Sequence, residues 1–588
     1  MGRHLEANKP ETGNPETVKI LDFVTVSRIL EKHTRSASWR MLVFRDRKPG
    51  TNIYSNRNSY FCHTFNRARK FMNNEELFRK IISHAKEYGF VFPSSEIYDG
   101  LGAVYDYGQN GAELKNNIQR YWWEAMVHLH ENIVGIDSAI FMHPTVWKAS
   151  GHVDAFNDPL IDNKDSKKRY RADQLIEDHL QKIENKIDKE VQKALQRFGK
   201  DFDEVKFRST HPRVLENQKK YDEIYTQYKN ALEKDDLQGM KRIIEECEIA
   251  DPESGSKNWT DVRQFNLMFD TKLGSVSGES NTIYLRPETA QGIFVNYLNV
   301  QKSGRMKVPF GIAQTGKAFR NEIVARQFIM RMREFEQMEM QYFIRPGKEM
   351  EWFEYWKEHR MRWHKALGLG DENYRFHNHE KLAHYANAAT DIEFKFPIGF
   401  KEVEGIHSRT DFDLVQHQKY SGKKIQYFDN ELNESFVPYV IETSIGLDRM
   451  FLSVLSGVYD EEMVKGENGK EDLRVVLRLP APLAPVKVAV LPLVKKDGLP
   501  EVARSIMDQL KFDLNCQYEE KDSIGRRYRR QDAIGTPYCI TIDHQTLKDN
   551  TVTIRYRDSM NQERINIPSI QEIVQEKTNM KKLLENLV

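Results

Sequence analysis

Apolar residues recur at three- and four-residue spacing over 74–88, where Leu77, Ile81, Ile82, Ala85 and Tyr88 share one face of a predicted amphipathic helix. The spacing repeats more strongly over 112–130, with Leu114, Ile118, Tyr121, Trp122, Ala125, Met126 and Leu129 in register. A short apolar run, Ser138–His143, then predicts a strand closed by Pro144. Lys- and Glu-rich helical segments follow over 172–197 and 213–247, and their charge reads mostly as a solvated face. Apolar pattern returns over 258–300. Between Phe319 and Phe343 two apolar-rich runs flank a charged loop, which predicts strand, loop, strand. In the second run, period-2 alternation sets Arg333, Phe335, Gln337, Glu339 and Gln341 on one face. Beyond a Pro-rich linker at 480–485, strand-like runs at 486–493, 538–543 and 551–557 alternate with helices near 499–511 and from about 569. That alternation predicts a small α/β domain, in which Ser523–Asp532 reads as a short strand-like piece.

Length and composition narrow the class. A chain of 588 residues makes two to four domains, and 39% hydrophobic with 30% charged residues describes a soluble globular protein. No window reaches the roughly 18 continuous apolar residues of a membrane span, and no secretory h-region opens the chain. Cys62, Cys247, Cys516 and Cys539 are far apart and form no Cys-x-x-Cys pair, so neither a disulfide framework nor a cysteine-built zinc site is expected. The expectation is a reducing, cytoplasmic compartment. Net charge conceals an asymmetry, since residues 1–71 hold 14 Lys and Arg against 6 Asp and Glu. That segment reads as a basic arm for nucleic acid, as a transit segment, or as a poorly ordered extension before Met72.

Candidate chemistry concentrates after residue 285. On the Phe335 strand face an Arg can hold a phosphate, the ring can stack on a base, and Glu339 can accept hydrogen bonds from an ammonium group. Arg286-Pro-Glu-Thr sets Glu288 at a strand-to-helix turn; the bland alternative is an acid favoured by the helix dipole. In Glu442-Thr-Ser-Ile-Gly-Leu-Asp-Arg, a strand delivers Glu442 and Ser444, Gly446 permits a tight turn, and Arg449 falls in a first helical turn. Oxygen ligands such as Glu442 suit Mg²⁺. His143, Trp147 and His152 lie close in one loop, where two histidines are more often polar loop residues than metal ligands. Arg526, Arg527, Arg529 and Arg530 around Tyr528 suit RNA, or equally a solvated basic loop.

Phe319-Arg-Asn-Glu with Arg333-Glu-Phe resembles motif 2 of class II aminoacyl-tRNA synthetases, Gly446-Leu-Asp-Arg resembles motif 3, and the helix–strand–Pro144 unit resembles motif 1, their dimerisation element. More narrowly, Ser94-Ser-Glu-Ile-Tyr, Arg171-Ala-Asp, Arg286-Pro-Glu-Thr-Ala-Gln-Gly, Arg333-Glu-Phe-Glu-Gln-Met-Glu, Arg409-Thr-Asp-Phe-Asp-Leu and Glu442-Thr-Ser-Ile-Gly resemble the homodimeric glycine–tRNA ligase type, from about residue 72 to 580. The resemblance implies an α+β fold: a catalytic core on an antiparallel sheet flanked by helices, and a C-terminal α/β anticodon-binding domain. Its parts would be a basic extension (1–71), the first part of the core (72–163), a charged helical insertion (164–257), the second part of the core (258–479) and the anticodon-binding domain (480–588). Some relatives carry Cys-x-x-Cys near Asp162-Asn-Lys-Asp-Ser-Lys-Lys; this chain does not, so no zinc is expected.

The resemblance also implies roles. Arg320 would hold the ATP α-phosphate, with Asn321 beside it; Glu322 would reach the adenine amino group, and Arg331 or Arg333 the β- and γ-phosphates. Phe335 would stack on adenine, with Arg449 on its other face or near the γ-phosphate. Glu402 and Glu442 would ligate the Mg²⁺ that accompanies ATP, and Val403 and Gly446 would border the nucleotide. Glycine would lie among Arg171, Glu288, Phe335, Gln337, Glu339, Glu442, Ser444 and Gly446. Arg526, Arg527, Tyr528, Arg529 and Arg530 would meet tRNA(Gly), and the enzyme would be a homodimer away from membranes. A non-catalytic accessory subunit on the same fold predicts erosion of catalytic residues, yet Arg320, Glu322, Phe335, Glu442 and Arg449 are all present. A class II ligase for another amino acid is disfavoured by Glu288, Glu339 and the Glu-Gln-Met-Glu run.

Overall fold

The computed structural model describes residues 74–587 apart from 200–201, 274–280, 324–326, 380–381, 383–385, 466–468 and 470. The basic segment 1–71 lies outside the described residues. At the centre is a seven-stranded sheet. Its strands are β1 (Ile133–Ile136), β2 (Phe310–Phe319), β3 (Glu334–Ile344), β4 (Tyr374–Asn378), β5 (Ala388–Phe396), β6 (Gly399–Thr410) and β7 (Tyr439–Gly446). In space they run β4-β5-β6-β7-β3-β2-β1, antiparallel throughout except for the parallel β1–β2 pair.

The central strand β3 explains where the site falls. Its even residues Met338, Met340, Tyr342 and Ile344 enter a core with Trp122, Trp356, Trp363 and Phe451, contributed by helices Gln109–Trp123, Glu349–Lys365 and Leu447–Val458. Its odd residues face the other way. There Phe343 is apolar and packs with Phe294, Tyr297 and Phe310 under helix Ala290–Ser303, but Gln337, Glu339 and Gln341 are polar. A strand between two neighbours on a covered sheet has no reason to bury such side chains unless they meet partners or a ligand.

Three local expectations differ from the structure. The strand near the N-terminal half is Ile133–Ile136, not Ser138–His143, which makes only the isolated bridge Phe141–Leu285. Pairing with β2 over four residues uses up the edge, and Arg286 then holds the departing chain by donating to the Ser138 carbonyl at 2.8 Å. Pro144 opens helix Pro144–Ala149 rather than closing a strand, a position where its missing N–H costs nothing. The long helix spans Gln109–Trp123 and continues as a π turn to His128, leaving Leu129 exposed.

The charged insertion is built on helices Ala172–Phe198, Pro212–Glu233 and Leu237–Glu246 around its own core, including Ile176, Ile183, Ile224 and Ile244. That core continues from Ile161 to Val262, past the 164–257 limits read from charge. A three-stranded sheet of Asn157–Asp162, Arg169–Arg171 and Arg263–Asn266 roots it.

The C-terminal part holds a five-stranded sheet, with Val488–Pro492 between Cys516–Tyr518 and Tyr538–Ile542 in parallel and two antiparallel strands beyond. The Ser523–Asp532 run is a helix, Ile524–Ile534, and not a strand. Arg527, Gln531 and Ile534 recur at helical spacing on its buried side, and Gly535 at φ 81° ends it in the left-handed conformation. A buried ion cluster ties this part to the hairpin Tyr459–Lys465/Glu471–Leu477. Asp532 accepts from Arg474 Nε at 2.8 Å and from Arg555 Nη1 and Nη2 at 2.8 and 2.9 Å.

Candidate functional site

A cavity of about 450 Å³ opens over the polar face of β3. Phe335, Gln337 and Glu339 form its floor, β7 adds Glu442 and Ser444, and β6 adds Glu402, His407 and Arg409. Arg320 and Glu322 enter from beyond β2, Glu288 from the turn before helix Ala290–Ser303, and Arg449 from the first turn of helix Leu447–Val458.

One end of the cavity is a nest of carboxylates. Glu339 is almost fully buried; Ser444 Oγ donates to its Oε1 at 2.7 Å, Gln337 Nε2 to the same oxygen at 3.2 Å, and Thr289 Oγ1 to Oε2. Burial, with Glu442 and Glu288 nearby, pushes the Glu339 carboxyl above its usual range. Burial alone would do the same to Glu442, but Arg409 and His407 outweigh it and hold that carboxyl down. Glu288 is likewise held well below the carboxylate range, because His152, Arg409 and Gln291 override its burial. Two of the three carboxylates are thus locked as anions, and the third is poised near its neutral form.

Behind them runs a buried polar frame. Gln291 Nε2 donates to Glu288 Oε1 and to Asp413 Oδ1, each at 3.0 Å, and His417 Nε2 donates to Gln291 Oε1 at 2.8 Å. Asp413 in turn accepts from Arg409 Nε and Nη2 at 2.9 and 3.1 Å.

The other end suits a nucleotide. The Arg320 guanidinium lies 5.2 Å from the Phe335 ring centroid and 5.4 Å from that of Phe156, and its Nε donates to the Pro287 carbonyl at 3.0 Å. An aromatic plate beside a fixed cation can take a base and a phosphate. Arg449 Nη1 pairs with Glu402 at 2.9 Å, which holds that carboxyl below its usual range. Arg331 lines the cavity; Arg333 does not, because its guanidinium braces the loop by donating to the Glu322 and Gly102 carbonyls at 3.0 Å. Asn321 lies outside the lining, with its N–H donated to Leu267 O at 2.7 Å. Val403 is buried in the core and does not line the cavity. Gly446 has φ −77°, so no left-handed turn demands glycine there; it borders the cavity where a Cβ would stand 3.6 Å from Arg449. Arg171 reaches the rim, paired with Asp158 at 3.0 Å and Asp173 at 2.6 Å.

The two proposed Mg²⁺ ligands differ in fitness. Glu402 is half-exposed on the wall with hard oxygens and one cationic partner, so it fits as a ligand. Glu442 does not fit. Its Oε1 accepts from Gln341 at 2.8 Å and Arg409 at 3.0 Å, and its Oε2 from His407 at 2.9 Å and Arg409 at 3.1 Å, which fills two sites on each oxygen.

In the C-terminal part, the arginine cluster divides. Arg526 is exposed. Arg527 is buried and donates to the Pro492, Glu519 and Leu493 carbonyls, while Tyr528 bonds Thr541 at 2.6 Å. Arg530 pairs with Asp522 at 2.9 Å and with Glu519, and Arg529 stands 3.9 Å from Asp472.

Sequence reasoning missed the frame: His152, Thr289, Gln291, His407, Arg409, Asp413 and His417. For Arg409 and Asp413 the signal was the Arg-Thr-Asp-Phe-Asp-Leu motif itself, where an Arg four residues before an Asp can turn back onto it. His152 had none, since its partner Glu288, 3.4 Å away, lies beyond the whole insertion.

A mostly antiparallel sheet with a Phe on one central strand and an Arg just past the end of the next, and an Arg-bearing helix start at the rim, defines a class II aminoacyl-tRNA synthetase core. Residues 272–458 match the tRNA synthetase class II core domain (G, H, P, S and T), residues 158–267 the glycyl-tRNA synthetase insertion domain 1, and residues 487–577 an anticodon binding domain. The chain is 51% identical over 496 residues to a glycine–tRNA ligase of Chlorobaculum tepidum, covering 84% of this chain and 98% of that one. It is 49% identical over 502 residues to that of Staphylococcus haemolyticus (84% and 98%) and 46% over 505 to that of Treponema denticola (85% and 97%). The chain belongs to the glycine–tRNA ligase family. It attaches glycine to tRNA at the expense of ATP, through the adenylate intermediate general to this enzyme class. Among the described residues no helix is long and apolar enough to cross a membrane.

Proposed function

We propose that the cavity binds glycine at its carboxylate end and ATP at its aromatic end, and that it makes glycyl-adenylate between them for transfer to tRNA(Gly). The carrying observation is the convergence of Glu288, Glu339 and Glu442 at one end of a cavity whose other end presents Phe335, Arg320 and Arg449. Glu288 and Glu339 grip the ammonium, with Ser444 and Gln337 fixing Glu339, and Glu442 anchors the Arg409 and His407 wall behind it. Adenine stacks on Phe335 with Glu322 at its amino group, Arg320 takes the α-phosphate, and Arg331 and Arg449 take the β- and γ-phosphates.

A glycine carboxylate oxygen attacks the α-phosphorus. The bond to the bridging oxygen breaks, its electron pair leaves with pyrophosphate, and Arg320 offsets the charge that develops. The terminal ribose hydroxyl of tRNA then attacks the adenylate carbonyl and forms the ester, the electrons of the broken acyl–phosphate anhydride bond leave with AMP, and the hydroxyl proton is released. No side chain forms a covalent bond. Mg²⁺ accompanying ATP would be held by Glu402 and would neutralise phosphate charge. Selectivity is steric: a nest this crowded rejects any side chain by clash, which can exceed the roughly 1–3 kcal/mol available from a missing methylene.

The enzyme works as a cytoplasmic homodimer on this reading. The short edge strand β1 and the neighbouring exposed Leu129 and Phe141 support the dimer. ATP–pyrophosphate exchange with glycine, alanine and serine supplied separately tests the site. Exchange is expected with glycine alone and should vanish in Glu339→Ala; exchange with alanine, or survival in that variant, would overturn the glycine placement.

A further inference from the structure

A second cavity, of about 470 Å³, adjoins the nucleotide end of the first. Arg171, Met330, Arg331, Glu402 and Arg449 line both, so the two share a wall. On its far side stand Gln174, Leu175 and Asp178 of helix Ala172–Phe198, with Lys401 beside Glu402 on β6. Four cations, Arg171, Arg331, Lys401 and Arg449, meet two acids, Glu402 and Asp178. Arg171 and Arg449 are spent on carboxylates, but among the described residues neither Arg331 nor Lys401 forms an ion pair. With Asp158 and Asp173 on Arg171 the total charge balances, so what the cleft offers an anion is two cations free to contact it directly.

Geometry selects the anion. With adenine on Phe335 and the α-phosphate at Arg320, the β- and γ-phosphates reach toward Arg331 and Arg449, which is the shared wall. Once the α-phosphorus–oxygen bond breaks, the adenylate still fills the first cavity between Phe335 and Glu339. Pyrophosphate is then a multiply charged anion with its way back obstructed and a chamber holding two cations unpaired among the described residues, Arg331 and Lys401, in front of it.

We propose that the second cavity is the release chamber for pyrophosphate, and that Lys401 is the binding residue that receives it there. This rests on the ATP placement proposed above. By microscopic reversibility, pyrophosphate added to the reverse reaction enters through the same chamber.

The test uses the full chain and inorganic pyrophosphate as probe. The KM for pyrophosphate in glycine-dependent ATP–pyrophosphate exchange, and the inhibition constant of pyrophosphate in tRNA charging, are measured for the parent and for Lys401→Gln, Lys401→Arg and Gln174→Glu. Lys401→Gln should raise both constants about tenfold, one charge's worth of affinity, with the KM for glycine within about twofold. Lys401→Arg should keep the parent values. Gln174→Glu, which adds a negative charge on the opposite wall, should raise both constants independently of whether Lys401→Gln folds. Unchanged pyrophosphate constants would overturn the proposal. So would a raised KM for tRNA alone, which would make the chamber a nucleic-acid subsite. Failure of the parent enzyme to show glycine-dependent exchange would instead defeat the ATP placement, so the two failures are distinguishable.

Discussion

Arg409 Nη1 lies 3.0 Å and 3.1 Å from the two carboxylate oxygens of Glu442, with both side chains nearly closed to solvent. The same guanidinium holds Asp413 with its other nitrogens. Removing one member of such a pair leaves a buried charge without its partner, which costs about 3–5 kcal/mol. Arg409→Met should therefore lower the unfolding free energy by about that amount in urea titration and abolish glycine activation. Combining it with Glu442→Leu should recover only part of the stability and none of the activity, because the Glu442 site becomes apolar while Asp413 still lacks Arg409. A double variant no more stable than the single one would mean that stranded Asp413, not stranded Glu442, carries the cost.

Glu339 sets the pH dependence of glycine binding. Burial and the anions Glu442 and Glu288 raise its pKa, so the free enzyme retains its proton at a pH where an ordinary glutamate has lost it. An ammonium group needs the carboxylate, so binding must displace that proton. The KM for glycine should accordingly fall as pH rises through the raised pKa and level off above it, with protons released on binding. Calorimetry in buffers of different ionisation heat measures the release directly. Glu339→Gln should remove both the slope and the proton release; their persistence would move the titration to another group.

His152 acts on the reaction through Glu288. Its Nδ1 is 2.8 Å from Ser150 Oγ, its ring meets Trp147 edge-on at 5.6 Å, and its Nε2 points at Glu288 from 3.4 Å. A ring fixed on three sides positions the carboxylate it faces. Hydrogen bonds to charged groups contribute about 1.5–3 kcal/mol, so His152→Ala should raise the KM for glycine about tenfold or more. The KM for ATP should not move, and His152→Gln, which keeps a donor, should recover part of the loss. A variant that changes both constants equally would mean a general loosening rather than positioning.

Asp532 has a structural part. It is fully buried and carries two guanidinium groups, from Arg474 in the core-side hairpin and Arg555 in the C-terminal sheet. Asp532→Asn should cost about 3–5 kcal/mol by leaving those cations unbalanced, seen as a lowered melting temperature. Because the cluster links hairpin and anticodon-binding domain, tRNA charging should suffer more than glycine-dependent exchange.

Legibility followed periodicity. On β3 the odd positions Phe335, Gln337 and Glu339 could be placed together because a strand repeats every two residues whatever surrounds it. Most long helices were equally plain, each carrying an apolar stripe. The short strand Ile133–Ile136 was not: four residues, of which only Ile133 is buried, make too weak a pattern to compete with the apolar run after it. The polar frame was illegible for another reason. His152–Glu288, Gln291–Asp413 and Arg409–Glu442 are pairings set by tertiary packing, and no spacing along the chain encodes them. Glu442 shows the consequence, since its type suits Mg²⁺ while its partners leave no room for it.

The arginine cluster at 526–530 tests this distinction by experiment. Read as alternating, its residues looked equally available to RNA; wound into helix Ile524–Ile534, they separate by burial. Arg527 spends its guanidinium on three carbonyls that no other described side chain caps, at 2.7, 3.1 and 3.2 Å, whereas Arg526 projects into solvent. A phosphate contact supplies salt-dependent affinity without base specificity. Arg526→Ala should raise the KM for tRNA several-fold, with a shallower salt dependence and an unchanged melting temperature. Arg527→Ala should do the reverse: it strands buried carbonyls and lowers the melting temperature, and it touches tRNA binding only as far as the domain unfolds. If Arg526→Ala leaves tRNA charging intact at low salt, the RNA contact of this domain lies on another face, and the helix serves packing alone.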